Sequence, residues 1–267
     1  MDDLERPSPK GMALRRTSFQ PPTRPSVRTS TPSALPRRHV DVYRAWADTG
    51  LLCALARRPT LLDRVLELYG STLVVTEAVA AEIRRLSGKT EAQRTPQTRL
   101  LCIGADTVVR YLDEGRIEVC PLPTGADEFN TVDKLGQVLR QLREIDAAAA
   151  ERAGRTVDPV ASARKHAGEA DSIVCAARIV QLKGKTVLLT NDGGAIKVAE
   201  SLGVPCKDLS QLLAELGCTA VPVDAQVLFD TFNEVTRTFA TVPASRQPRD
   251  TSAFRCLRHG STCQLCD

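Results

Sequence analysis

The 267-residue sequence predicts an α/β protein, a three-layer α/β/α sandwich around a mostly parallel central sheet, and three observations carry that expectation. Short β-branched runs alternate with helical stretches of ten or more residues, the rhythm that crossover helices between parallel strands impose. Turn residues, as in Asp48-Thr49-Gly50 and Asn191-Asp192-Gly193-Gly194, directly follow two of these runs. Hydrophobic residues at 42% and charged residues at 25% suit a globular domain, while aromatics at 4% leave Leu, Val, Ile and Ala to build the core.

Residues 1–38 are rich in Pro, Ser, Thr and Arg and lack any helical or alternating period, so this segment is expected to be disordered. Structure is expected to begin with a strand over Val40 to Asp48, followed by a helix through Leu51, Leu52, Ala54 and Leu55. Pro59-Thr60 interrupts it, and Leu61, Leu62, Val65, Leu66 and Leu68 resume a helical stripe to Gly70. Ser71 to Val75 reads as the second strand, with Thr76 placed to cap a helix from Glu77 to Leu86.

Between 89 and 165 the periodicity predicts a helix around Leu100 to Leu112, interrupted in quality by Gly104, then a strand over Arg116 to Cys120. A second helix runs from Asp127 to about Arg152, before a loop at 154–159. The last third reads as a helix Ala170 to Leu182, a strand Thr186 to Thr190, the Asn-Asp-Gly-Gly turn and a helix Ala195 to Leu202. A short strand Val204 to Cys206 and a helix Leu209 to Leu216 complete it.

Charge is uneven. Residues 1–38 hold eight basic against three acidic side chains and residues 236–267 five against two, so a net charge of +4 leaves the stretch between mildly acidic. Basic ends of this kind are either simply solvated or attracted to phosphate backbones without reading sequence. Nine cysteines, an odd number, and the absence of an apolar leader or a run near the roughly 18 residues of a membrane span predict a reduced, cytoplasmic protein with no membrane partner.

In an open parallel sheet, ligands sit beyond the carboxyl ends of the strands, which singles out the acids that follow strands. Asp48, Glu77 and Asp192 do so, and Glu169 and Asp171 begin the helix that leads into the Asp192 strand. Grouped carboxylates suit Mg²⁺ or Mn²⁺, which with water can hydrolyse a phosphodiester and need no histidine. Each acid has a bland reading as well. Glu77 or Glu169 taken alone complements a helix dipole, worth about 0.3 to 1 kcal/mol, and Asp192 alone is an ordinary turn residue.

Taken together and in order, Ala47-Asp48-Thr49-Gly50-Leu51-Leu52, Val75-Thr76-Glu77-Ala78-Val79, Gly168-Glu169-Ala170-Asp171-Ser172-Ile173 and Leu188-Leu189-Thr190-Asn191-Asp192 resemble the signature blocks of PIN-domain proteins. The resemblance covers about residues 40–217, matches weakly over 89–165, and implies an insertion there. It implies a Rossmann-like fold and a metal-dependent endoribonuclease, often the toxin of a toxin-antitoxin pair. By that similarity Asp48, Glu77, Asp192 and one or both of Glu169 and Asp171 hold Mg²⁺ or Mn²⁺, and Thr190 helps position a ligand water. RNA is then the substrate, a small antitoxin protein is a candidate partner, and a homodimer is admitted. Gly168 is expected to relieve crowding where backbone approaches the site.

The C-terminal extension, 218–267, ends in Cys256-x2-His259-x3-Cys263-x2-Cys266, either four ligands for Zn²⁺ or a redox-sensitive tail. Cys53, Cys102, Cys120, Cys175, Cys206 and Cys218 lack ligand spacing and read as small buried hydrophobes. His39 and His166 receive no role. The alternative to a nuclease is a non-catalytic nucleic-acid or protein-binding module on the same fold. A nucleotide-binding protein is disfavoured, because no glycine-rich phosphate loop follows any strand.

Overall fold

The computed structural model describes residues 44–123, 128–155, 165–219, 221–238 and 247–255. The expected N-terminal disorder, the loop at 156–159 and the Cys256, His259, Cys263 and Cys266 quartet lie outside them. Five strands, β1 (Arg44–Ala47), β2 (Leu73–Thr76), β3 (Glu118–Cys120), β4 (Thr186–Leu189) and β5 (Cys206–Lys207), form one sheet in the order β3-β2-β1-β4-β5. All four pairings are parallel, with Ala47 opposite Leu189 and Trp46 opposite Val74. The predicted α/β/α sandwich is therefore present.

Alternation along the strands builds two cores. Ala45, Ala47, Leu73, Val75, Val187 and Leu189 face one side, covered by α1 (Thr49–Ala56), α2 (Pro59–Tyr69), α3 (Glu77–Ser87), α4 (Pro96–Asp113) and α8 (Leu209–Gly217). Trp46, Val74 and Leu188 face the other, under α5 (Glu128–Arg152), α6 (Ala167–Gln181) and α7 (Gly193–Ser201). The 96–120 stretch supplies α4 to the first core and β3 to the sheet edge. A further helix, α9 (Ala225–Thr238), adds Leu228, Phe232 and Val235 to the first core, where Phe254 joins them. This part of the C-terminal extension packs as firmly as the predicted domain.

Local chemistry explains the helix starts. Pro59 occupies the first turn of α2, where its missing N–H costs nothing. Thr76 caps α3 through Val79 N–H at 3.3 Å, as its position predicts. Two starts differ from expectation. Gly193-Gly194 lies inside α7 because Asp192 is its cap, and α6 begins at Ala167, three residues early, so that Glu169 and Asp171 lie within its first two turns. Among the described residues no helix is long and apolar enough to cross a membrane.

Candidate functional site

The chain leaves β1 for one half of the sheet and returns through β4 for the other, so the strand order reverses between β1 and β4. Crevices form at such switch points beyond the strand ends. Asp48 follows β1 and Asp192 lies three residues beyond β4, which places both there.

Asp48 is 8% exposed and fully engaged. Its Oδ1 accepts Leu51 N–H at 2.6 Å, capping α1, and its Oδ2 accepts the Thr190 hydroxyl. The same Thr190 oxygen accepts Asp192 N–H at 3.1 Å, so it ties the two acids together. Asp192 caps α7 through Ala195 N–H at 2.8 Å. Thr190 was expected to hold a ligand water; here it holds Asp48 directly.

Burial is the main reason the Asp48 carboxyl is pushed up to about 7, with the Thr190 and Leu51 hydrogen bonds opposing and the charges of Glu169 and Asp192 adding to it. Glu169 is also raised, first by burial and then by Glu82 and Asp192, against its own backbone N–H and His166. Asp48, Glu169, Asp192 and Glu82 therefore share one field. Glu82 on α3 accepts the Thr49 hydroxyl at 2.8 Å, one residue from Asp48. A Cβ on Gly168 would lie 2.9 Å from Val79 Cγ2 and 3.6 Å from Glu82 Oε2, so the bare glycine lets α6 approach α3 at the site.

Glu77 and Asp171 stand apart from that group. Asp171, 9% exposed, is pushed up to about 6 by burial and then by Glu77, while Glu77 itself is exposed in the first turn of α3. By the charges that raise them, Asp48 and Glu169 are linked with Asp192, and Asp171 with Glu77. Among the described residues no three His, Cys, Asp or Glu side chains are gathered closely enough to grip a single ion. Both oxygens of Asp48 and one of Asp192 are engaged by helix caps and Thr190.

Glu82 neither follows a strand nor begins a helix, so its place in the sequence does not single it out. It lies three residues after Val79 and four before Leu86, at the border of the buried stripe of Val79, Ile83 and Leu86, with its side chain 38% exposed.

Carboxylate oxygens suit a hard divalent cation. The charges that raise Asp48 and Glu169 come from Glu169, Asp192 and Glu82, and Glu82 also lies 3.9 Å from Arg85. An all-oxygen anionic set of this kind matches Mg²⁺ or Mn²⁺. The starts of α1, α6 and α7 bring positive helix-dipole ends to the same crevice, which also favours anions there.

These shifts set a pH dependence for the metal-free protein. The fold holds the Asp48 proton up to about 7, whereas the free side chain releases it near 3.8. Stability from this group is therefore complete below about pH 4, falls as pH rises toward 7, and is flat above. At about 1.4 kcal/mol per pH unit, the loss is on the order of 4 kcal/mol. Thermal melts in EDTA are expected to show Tm falling from pH 5 to pH 8, and a rising Tm over that interval would contradict the assignment.

No protein-family model matches this chain, and no curated protein is similar to it.

Proposed function

We propose that the chain is a metal-dependent endoribonuclease of PIN-like type, with Asp48, Glu82, Glu169 and Asp192 as the acids that hold Mg²⁺ or Mn²⁺. The observation that carries the reading is the buried Asp48 carboxyl at the switch point of the sheet, raised first by burial and further by the charges of Glu169 and Asp192. Perturbed carboxyls of this kind mark places where a cation can be bound. The choice of RNA, and of an antitoxin protein as partner, rests on the resemblance of the four sequence blocks.

Bound there, Mg²⁺ or Mn²⁺ supplies Lewis acidity, lowering the pKa of water and offsetting charge that builds on the phosphodiester during in-line attack. The chain's own residues do the rest. Thr190 fixes Asp48 and the backbone of Asp192 relative to each other, and Thr49 fixes Glu82. Asp48 exchanges its proton for the cation, so binding tightens as pH rises toward 7. The helix starts beneath the crevice attract the phosphate.

Glu82→Gln and Glu77→Gln distinguish this set from the one read directly off the strands. Glu82→Gln is expected to reduce Mn²⁺-dependent cleavage of RNA by about a hundredfold, within the few kcal/mol a metal supplies at tenfold per 1.36 kcal/mol. Glu77→Gln is expected to stay within about threefold of wild type by the same conversion. The reverse ranking, measured as kcat/KM at saturating Mn²⁺, would replace Glu82 by Glu77 in the site.

A further inference from the structure

His166 immediately precedes α6, the helix that carries Glu169, and it adopts the left-handed conformation, with φ 71° and ψ 10°. For a residue with a Cβ that conformation is strained. The position is an N-cap, where Ser, Thr, Asp or Asn usually satisfies a free N–H, yet the His166 side chain makes no such bond. It turns instead to another helix.

The imidazole is 3% exposed, and its Nε2 lies 2.8 Å from Asp146 Oδ2 on α5. Lys165 pairs with the same Asp146 oxygen. His166 Nδ1 is buried without a hydrogen-bond partner, which is costly. A strained backbone, an unused cap and an orphaned ring nitrogen meet in one residue. A residue kept only to stabilise the fold would avoid all three, and such costs gather where a site needs a particular geometry.

The same helix touches the site from a second direction. A Cβ on Gly194 would lie 3.0 Å from Asp192 Oδ1, 3.4 Å from Ile145 Cγ2 and 4.0 Å from Leu142 Cδ2, so the turn of α5 that bears Asp146 rests against the Asp192 cap. On the other side, the His166 carbonyl accepts the Ala170 N–H at 2.9 Å, the first bond of the helix that carries Glu169.

We propose that Asp146 and His166 form a positioning pair through which α5 holds Glu169, and with it the start of α6, in the carboxylate group. The pair acts through Glu169 and does not itself touch the substrate. Helix α5, drawn from the weakly matching middle of the chain, thereby becomes part of the site. The inference rests on the metal-binding reading above.

Groups that hold a metal ligand in place typically contribute 10- to 100-fold to metal affinity. Mn²⁺ binding to the full chain, followed by calorimetry without substrate, tests the pair through Asp146→Asn, His166→Asn and the double variant. Asn tolerates the left-handed conformation, so His166→Asn removes the imidazole and spares the turn. Each single variant is expected to weaken Mn²⁺ binding by about tenfold or more, and the double variant by little beyond either single one, because the two side chains act as a unit.

Phe232→Ala, in the core beneath α9, is the control for lost stability. It is expected to lower Tm and leave Mn²⁺ affinity at the wild-type value. Wild-type affinity in Asp146→Asn, additive losses in the double variant, or weakening by Phe232→Ala equal to that of the pair would each overturn the positioning role while the metal site stands. Failure of the wild-type chain to bind Mn²⁺ would overturn the metal reading and the pair together.

Discussion

In the Asp48→Asn protein, metal-dependent RNA cleavage is expected to fall by about a thousandfold, near 4 kcal/mol of lost transition-state stabilisation, while the metal-free fold becomes more stable. Asn is as good an N-cap as Asp, so the bond from Leu51 N–H survives, and its amide can donate to Thr190 where the carboxylate accepted. What disappears is a buried charge that desolvation, Glu169 and Asp192 all penalise. Removing a penalty on the order of 4 kcal/mol above pH 7, at roughly 2 to 4 °C per kcal/mol for a chain of this size, should raise Tm in EDTA by about 8 to 16 °C. The variant should also lose much of the fall in Tm between pH 5 and pH 8. A variant that is both inactive and less stable would mean that Asp48 serves the fold, and the site would have to be sought elsewhere. Gains in stability on removing functional acids are the familiar mark of a site whose geometry opposes folding.

Gly104→Ala is expected to have the largest effect on stability. A Cβ there would lie 1.8 Å from the Cys53 carbonyl oxygen and 2.9 Å from its Cα, so α1 and α4 cross in backbone contact. Neither helix can give way cheaply, since Cys53 and Cys102 are fully buried beside the crossing. Forcing them apart in a close-packed interior should cost at least about 3 kcal/mol, at the upper end of overpacking. Urea titration provides the measurement, and Gly136→Ala provides the comparison. Gly136 is exposed in α5 with nothing within 4 Å of its would-be Cβ, so alanine there should stabilise by about 1 kcal/mol through helix propensity alone. Similar midpoints for Gly104→Ala and wild type would refute the crossing. Because α1 begins at Asp48, the crossing also fixes the orientation of the site's most constrained acid.

The two glycines show which features can be read from sequence. Periodicity identified α4, and Gly104 registered only as a flaw in its helical pattern, because a glycine that permits contact between distant segments looks locally like one that merely weakens a helix. The strands and the helices α1, α2, α3 and α5 were legible because their signals are local: apolar runs, Pro59 at a first turn, Thr76 at a cap. The start of α6 was not, since a left-handed His166 held by Asp146 replaces the usual cap and the partner lies 20 residues away. Helix α9 has a legible stripe in Leu228, Phe232 and Val235. It falls in the C-terminal extension, beyond the 40–217 stretch that the PIN-like resemblance covers.

The candidate site divides in the same way. Asp48, Asp192 and Glu169 could be named from position along the chain, because strand ends define the crevice. Glu82 depends on how α3 rotates against α1 and α6, a tertiary fact recorded in the Thr49 hydroxyl bond and in the missing side chain of Gly168. Glu77, closer to its strand, is exposed in the first turn of α3, where its charge raises Asp171.

Cleavage of a mixed RNA pool by the purified full chain, with Mn²⁺ or Mg²⁺, with EDTA, and with the Asp192→Asn variant, tests the central claim most directly. The account predicts cutting that requires the metal and is lost in Asp192→Asn. That variant keeps its cap on α7, since an Asn oxygen can still accept Ala195 N–H. No cutting by the wild-type chain under any of these conditions, or cutting that survives EDTA and the substitution alike, would contradict the account and favour a binding module built on the same sheet.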